Sequence, residues 1–304
     1  MKPKIVLTGG SGLLAVNWAV TVRETYDVIL LLHEREVAIA GVISVKVDIG
    51  SYEALINVLS NYQPDVVIHT AGLTSVEVCE SNPTLANQVN VEISANIAIV
   101  THQLGIKMVH ISTDHLFDGT TSLLTEETIP SPLNMYGYTK GLAERKVLER
   151  CPHALVVRTN FYGWGTSYRK SFSDMIIFSL RQKKQITLYS DVYYSPIYVS
   201  VLISSIHALI DKGAAGIFNV VSDSRISKYE FGMLLANEFS LDTTFITEGA
   251  LAPSNNVVKR PLDMSLSNIK ATEFIGRQIG LVQDHIRLMK TQEYDSSTIE
   301  IQHL

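Results

Sequence analysis

The sequence predicts an α/β fold, a doubly wound parallel sheet with a smaller, mixed α/β domain in the C-terminal part, and three observations lead there. Short, fully apolar runs recur at residues 5–7, 28–32 and 66–68, as suits strands buried on both faces of a sheet. Stretches of helical period separate such runs at intervals of roughly 20 to 40 residues, the alternation that stacked βαβ units produce. The first apolar run passes directly into Thr8-Gly9-Gly10-Ser11-Gly12 and then into a helical segment.

Taken in order, residues 5–7 form a first strand and residues 13–20 a helix. Residues 28–32 form a second strand that ends in His33-Glu34-Arg35, and residues 42–47 a third that closes at Asp48. Residues 51–61 carry Leu55, Ile56 and Leu59 at helical spacing, and Pro64-Asp65 stops that helix before a strand at 66–69. A long helix is expected over 82–104, a strand over 108–111, a helix over 136–151 and a strand over 154–158. After about Asn160 the rhythm weakens into the aromatic, Gly-punctuated stretch 161–170, so the C-terminal part is read as a second, smaller domain. The polar tail from about Thr291 is expected to be loosely ordered.

Composition narrows the function classes. A chain of 304 residues with 46% hydrophobic and 18% charged residues has ample material for a core. A net charge of -5 argues against a nucleic-acid or anionic-membrane surface, so neither partner is expected. Cys79 and Cys151 form no Cys-x-x-Cys pair, which leaves neither a disulfide framework nor a thiolate metal site, and no metal is expected. The first apolar run is too short for a signal-peptide core, and residues 195–210 are broken by Ser and His short of a bilayer span. The expectation is a soluble, cytoplasmic protein.

Gly9-x-x-Gly12-x-x-Ala15 lies between a strand and a helix, the context in which glycines let the backbone turn tightly beside a pyrophosphate at a helix N-terminus. This turn marks the sheet as Rossmann-like. An NAD site would place an acid at the tip of the second strand, whereas a 2′-phosphate prefers Arg. Here His33 holds the acidic position and Arg35 follows, so NADP(H) is favoured; Glu34 leaves NAD(H) open.

Tyr136 and Lys140 stand one helical turn apart and project from one helix face. A cation beside a phenol lowers its pKa toward a useful acid–base range. Ahead of this pair, Ser112-Thr113-Asp114-His115 ends the strand at 108–111 and puts hydroxyls at the sheet's C-terminal edge, where open α/β folds bind ligands.

Several motifs occur in one order: the glycine turn, His69-Thr70-Ala71-Gly72, Val89-Asn90-Val91, Ser112-Thr113-Asp114 with Phe117-Asp118-Gly119, Tyr136-Gly137-x-Thr139-Lys140, and Arg158-Thr159 followed by Tyr162-Gly163. The series resembles the extended short-chain dehydrogenase/reductases, and within them most resembles the dTDP-4-dehydrorhamnose reductase branch. The likeness is strong over the first 165 residues and diffuse after them, reaching Arg260-Pro261-x-Asp263.

The resemblance implies an NAD(P)H-dependent reductase of a nucleotide-linked 4-keto-6-deoxy sugar. Tyr136 would protonate the ketone oxygen, Lys140 would hold the nicotinamide ribose and depress the Tyr136 pKa, and Thr113 would complete the triad. Gly9, Gly12, Leu13 and Leu14 would lie along the pyrophosphate, His33 and Arg35 near the adenosine ribose, Asp48 and Ile49 beside the adenine, and Ala71 and Gly72 under the second ribose. Thr74, Asp114, His115, Phe161 and Arg260 would face the substrate, and Asn90 would have a structural role. Residues 1–160 would be the NAD(P)-binding domain, with a returning segment near 186–222, and 161–304 the substrate-binding domain; a homodimer is compatible with this.

Departures from the family pattern fall in the pocket. His115 replaces a usual Tyr, Phe161 a common Trp, and Ser195-Pro196-Ile197-Tyr198 a Pro-Thr-containing stretch. His115 also stands where related dehydratases carry the Glu of Thr-Asp-Glu, which counts against dehydration. A nucleotide-sugar 4-epimerase and a non-catalytic NADP-binding regulatory subunit of the methionine adenosyltransferase beta type are the alternatives.

Overall fold

The computed structural model describes residues 2–251 and 258–304. Its centre is a seven-stranded, all-parallel sheet. The strands are β1 (Lys4–Thr8), β2 (Asp27–Leu32), β3 (Val42–Lys46), β4 (Val66–His69), β5 (Lys107–Ile111), β6 (Leu155–Arg158) and, far along the chain, Gly216–Asn219. The spatial order is Gly216–Asn219, β6, β5, β4, β1, β2, β3, so the winding reverses between β1 and β4. A crevice opens at such a reversal, outside the carboxyl ends of the strands.

Side-chain alternation along β1 shows why both faces must be covered. Ile5 and Leu7 point into one core layer, with Leu14 and Trp18 of α1 (Leu13–Val22). Val6 points into the other, with Leu55 and Leu59 of α2 (Tyr52–Tyr62), Ile97 and Val100 of a later helix, and Val147 of the helix before β6. Each successive side chain of a strand faces the opposite way, so an all-apolar run requires helices on both sides.

The stretch expected as one helix over 82–104 is more articulated. A separate α3 (Val76–Ser81) precedes it, and α4 (Pro83–Asn87) leads through a π-helical turn, Gln88–Glu92, into α5 (Ile93–Gln103). Asn82 ends α3 and caps α4, its side chain accepting from Leu85 N–H, and Pro83 takes the first helical position, where no N–H is needed. The π-turn carries Asn90, whose carboxamide clamps Leu73: Leu73 N–H donates to Oδ1 at 2.8 Å, and Nδ2 donates back to the Leu73 carbonyl at 3.2 Å. After β5, α6 (Met135–Arg150) completes the first part of the chain.

Beyond β6 come β7 (Phe161–Tyr162), α7 (Phe172–Arg181), β8 (Ile186–Tyr189), β9 (Tyr193–Tyr194), β10 (Ile197–Tyr198), α8 (Val199–Asp211) and β11, which is the sheet strand Gly216–Asn219. The chain continues through β12 (Ile226–Ser227), α9 (Lys228–Glu238), β13 (Ile246–Gly249), α10 (Ile269–Ile275), α11 (Val282–Thr291) and α12 (Ser296–His303). The short strands pair in twos, β10 with β7, β12 with β9 and β13 with β8, and Tyr193 of β9 also bridges Asp263.

The tail differs from expectation. It is helical and docked: Ile301 of α12 joins the core layer that holds α1, and Arg23 and Glu300 form an ion pair at 2.7 Å. The polar spacing hid two residues, Thr298 and Ile301, that the fold buries. Among the described residues no helix is long and apolar enough to cross a membrane.

Candidate functional site

The glycine turn forms one wall of the crevice. Gly9 has φ +65°, and a Cβ there would stand 2.8 Å from the Ala71 Cα, so backbone from the loop after β4 occupies the side-chain position. A Cβ on Gly10 would meet Leu30 at 2.8 Å, which sets the turn against β2. Gly12 N–H donates to the Gly9 carbonyl at 2.7 Å, and α1 starts at Leu13 with no side-chain cap. The first-turn N–H groups of α1 therefore remain available to an anion at the positive end of the helix.

The opposite wall is α6, and each letter of Tyr136-Gly137-x-Thr139-Lys140 has a local cause. Asn134 caps the helix by accepting from Gly137 N–H at 2.9 Å, and its Nδ2 donates to the Lys259 carbonyl. A Cβ on Gly137 would lie 2.2 Å from the His115 carbonyl oxygen, so only glycine lets α6 approach the loop after β5 this closely. Thr139 Oγ1 accepts from Asn90 Nδ2 at 3.1 Å, tying α6 to the π-turn. Lys140 Nζ donates to the Ile111 carbonyl at 2.7 Å. Farther along α6, Glu144 receives Arg158 of β6 in a buried pair with contacts of 2.8, 3.0 and 3.2 Å, which holds the helix to the sheet.

The hydroxyls meet at the mouth of β5. Thr113 Oγ1 accepts from His115 N–H at 3.2 Å and donates to Asp114 Oδ1 at 3.3 Å. The His115 ring stands edge-on to Tyr136 with centroids 5.7 Å apart. Asp114, buried, takes a hydrogen bond from Asn160 Nδ2 at 2.7 Å.

Burial governs the proton affinities here. It pushes the Tyr136 phenol up to about 12, against a smaller lowering from the neighbouring Thr113. The expectation that Lys140 depresses the Tyr136 pKa is therefore corrected for the chain by itself: the ammonium is engaged with a backbone carbonyl, and loss of water around the phenol dominates. Burial likewise lowers Lys140 to about 8, with Glu144 opposing, and raises Asp114 to about 7 despite the Asn160 hydrogen bond. His115 is brought down to about 4 by burial, with the charges of Lys228 and Arg260 adding to it.

The two walls enclose a cavity of about 920 Å³, at the upper end of ligand-pocket sizes and suited to a dinucleotide with room beyond it. Gly9, Gly12, Leu13, Leu14, His33, Asp48, Ile49, Ala71, Gly72, Tyr136 and Lys140 line it, as do Thr74, Thr113, Asp114, His115 and Phe161. Ser112 and Thr159 also line it, and their buried hydroxyl oxygens find no protein partner among the described residues. The tight glycine cradle and the uncapped helix end fit a phosphorylated dinucleotide.

Two expected site residues stand apart from the cavity lining. Arg260 pairs with Glu77 of α3, and Arg35 lies with its guanidinium over the Tyr168 ring, 4.1 Å from the centroid. Conversely, Asn160, Arg169, Ser171 and Phe172 line the cavity and were not anticipated. They follow β6 and β7 in a stretch without a repeated motif; its one signal was the density of aromatic residues and glycines over 161–170. Among the described residues no three His, Cys, Asp or Glu side chains gather as a metal site.

Comparison with known proteins agrees in scale with this architecture. Residues 3–293 match the RmlD substrate binding domain family. The probable low-salt glycan biosynthesis reductase of Haloferax volcanii is 30% identical over 84% of this chain and 86% of its own length. Methionine adenosyltransferase 2 subunit beta of Rattus norvegicus is 32% identical over 66% of this chain, and the match spans 62% of that protein. Among solved structures, dTDP-4-dehydrorhamnose reductase from Bacillus anthracis, in complex with NADP, superposes with a TM-score of 0.84 at 23% identity, covering 96% of this chain and 100% of that one.

Proposed function

The chain belongs to the RmlD substrate binding domain family, and from that membership we propose that it is an NADPH-dependent reductase of a nucleotide-linked 4-keto-6-deoxy sugar, of the dTDP-4-dehydrorhamnose reductase kind. One observation carries the reading: Tyr136, Thr113 and Lys140 line the same cavity as Gly9, Gly12, Leu13 and Leu14 of the glycine turn. A phenol is protonated at neutral pH, so one placed beside the space for a dinucleotide can give its proton to a ketone oxygen. Burial in the groove makes it a weaker acid, and a bound cofactor's surroundings would have to offset that.

A reduced nicotinamide, when bound, supplies the hydride. Tyr136 gives its proton to the ketone oxygen as negative charge develops there, with the Thr113 side chain lining the same space. Lys140 spends one N–H on the Ile111 carbonyl and has two more for ribose hydroxyls. Gly9, Gly12, Leu13 and Leu14 take the pyrophosphate, and Asp48, Ile49, Ala71 and Gly72 flank the adenine and the second ribose. Thr74, Asp114, His115 and Phe161 face the sugar. We assign residues 1–160, with the segment returning near 186–222, to the cofactor and the rest of 161–304 to the substrate.

The test is direct. Purified protein, NADPH and dTDP-4-keto-6-deoxy-glucose should lose reduced-nicotinamide absorbance, and Tyr136→Phe should stop it. A second reading, a cofactor-binding regulatory subunit, is favoured by the 32% identity to methionine adenosyltransferase 2 subunit beta. Tight NADPH binding with no turnover of any keto sugar would support that reading and reject the first.

A further inference from the structure

The loop between β7 and α7 returns across the groove as a closed strap. Both of its ends rest on one carboxylate oxygen: Asp174 Oδ2 accepts from Gly165 N–H at 2.8 Å and from Ser171 N–H at 2.9 Å. Within the strap, Thr166 Oγ1 accepts from Arg169 N–H at 3.1 Å, and a Cβ on Gly165 would lie 2.3 Å from the Arg169 carbonyl. The turn is thus tied at its base and presents Tyr168 and Arg169 outward.

Those two side chains reach opposite sides of the groove. Arg169 Nη2 donates to Thr74 Oγ1 at 3.1 Å, on the β4 side. Tyr168 Oη donates to the Ser11 carbonyl at 2.9 Å, inside the glycine turn, and its ring lies under the Arg35 guanidinium, 4.1 Å from ring centroid to Cζ. Tyr168 therefore joins the glycine turn to the segment that follows β2. In a doubly wound fold these two places flank the adenosine ribose, and an Arg there accommodates a 2′-phosphate.

We propose that Tyr168, contributed by the substrate half of the chain, is a specificity-determining residue for the cofactor: it positions Arg35 to read the 2′-phosphate of NADP(H). The proposal rests on the reading that Arg35 receives that phosphate. Arg35 sits on an exposed segment between Glu34 and Glu36, either of which could draw its charge away. A guanidinium stacked on an aromatic face keeps its N–H donors around the edge of the plane, free for phosphate oxygens. The phenol is itself fixed by the Ser11 carbonyl, so the stack is held in register with the turn that binds the pyrophosphate.

The experiment compares NADPH and NADH binding by nucleotide fluorescence on the full chain, without sugar, for the parent, Tyr168→Leu, Tyr168→Phe, Arg35→Ala and the double variant Arg35→Ala/Tyr168→Leu. An exposed cation–π contact is worth a factor of about two to five in Kd. Tyr168→Leu should weaken NADPH by that factor and leave NADH unchanged, with Tyr168→Phe lying between it and the parent. Arg35→Ala should cost NADPH about tenfold, the scale of a hydrogen bond to a charged group, and adding Tyr168→Leu should change the NADPH/NADH ratio no further. If Arg35→Ala leaves that ratio unaltered, the 2′-phosphate reading of Arg35 fails and the proposal with it. If Arg35→Ala lowers the ratio while Tyr168→Leu weakens both nucleotides equally or neither, Arg35 stands and the role of Tyr168 is overturned.

Discussion

Along the β5–α6 side of the groove, side chains are held by contacts that leave no freedom. Gly137 has a carbonyl oxygen where its Cβ would be, Asn90 binds both Leu73 and Thr139, and Glu144 with Arg158 locks α6 to β6 from within the core. Across the groove, the strap after β7 reaches its partners with exposed or half-buried side chains, Tyr168 on a carbonyl and Arg169 on a hydroxyl. On the proposed function, the rigid side carries the groups whose placement chemistry needs to within fractions of an ångström. On the same reading, the adaptable side carries groups that meet a ligand's periphery, where an error of position costs affinity and not rate.

The largest effect that would sharpen this contrast is on turnover. With Tyr136 as the proposed acid, Tyr136→Phe removes it without touching the helix, and kcat should fall by about 10²–10⁴ while NADPH binding and thermal stability hold. A loss in nucleotide binding of the same size would mean that the phenol serves as a wall. Next comes the lock. Glu144→Ala leaves the Arg158 guanidinium buried without its partner and should lower unfolding free energy by about 3–5 kcal/mol in urea titrations. The pair Glu144→Met with Arg158→Leu should restore most of that loss, since two apolar side chains leave no buried charge.

A smaller effect is expected from Asp114. Burial raises its pKa in the folded chain to about 7, above the 3.8 of the free side chain. Between those values the folded state binds the proton and the unfolded state does not, so this group makes stability fall as pH rises through the window. Unfolding free energy should therefore decline by at most about 1.4 kcal/mol per pH unit from this source, and Asp114→Asn should flatten the slope. A slope unchanged in the variant would place the titration elsewhere. The smallest effect belongs to the strap: Arg169→Ala should change stability by less than about 0.5 kcal/mol, as exposed substitutions do, and raise the substrate KM at constant kcat. A fall in kcat would break the division between the two sides.

How much of this was legible depended on range. The helix start at Leu13 and the glycines before it, the Tyr136–Lys140 face, and the hydroxyls after β5 could all be read because each depends on neighbours within about one turn or one strand. The same locality misled over 82–104, where the π-turn at Gln88–Glu92 answers to the partners of Asn90 in other elements. It misled again in the tail, where α12 exists because Thr298 and Ile301 find a surface to bury against.

Apolar periodicity and turn chemistry are properties of adjacent residues, and with them the sequence alone determined a parallel, doubly wound sheet, a tight glycine turn between strand and helix and a Tyr–Lys pair on one helix face. Which way the proton affinities move was decided only by folding, because the exclusion of water around Tyr136, Lys140 and Asp114 depends on everything packed over them. The strap was decided there too: Ser11, Arg35 and Tyr168 meet across more than half of the first 168 residues, a distance that no local pattern spans.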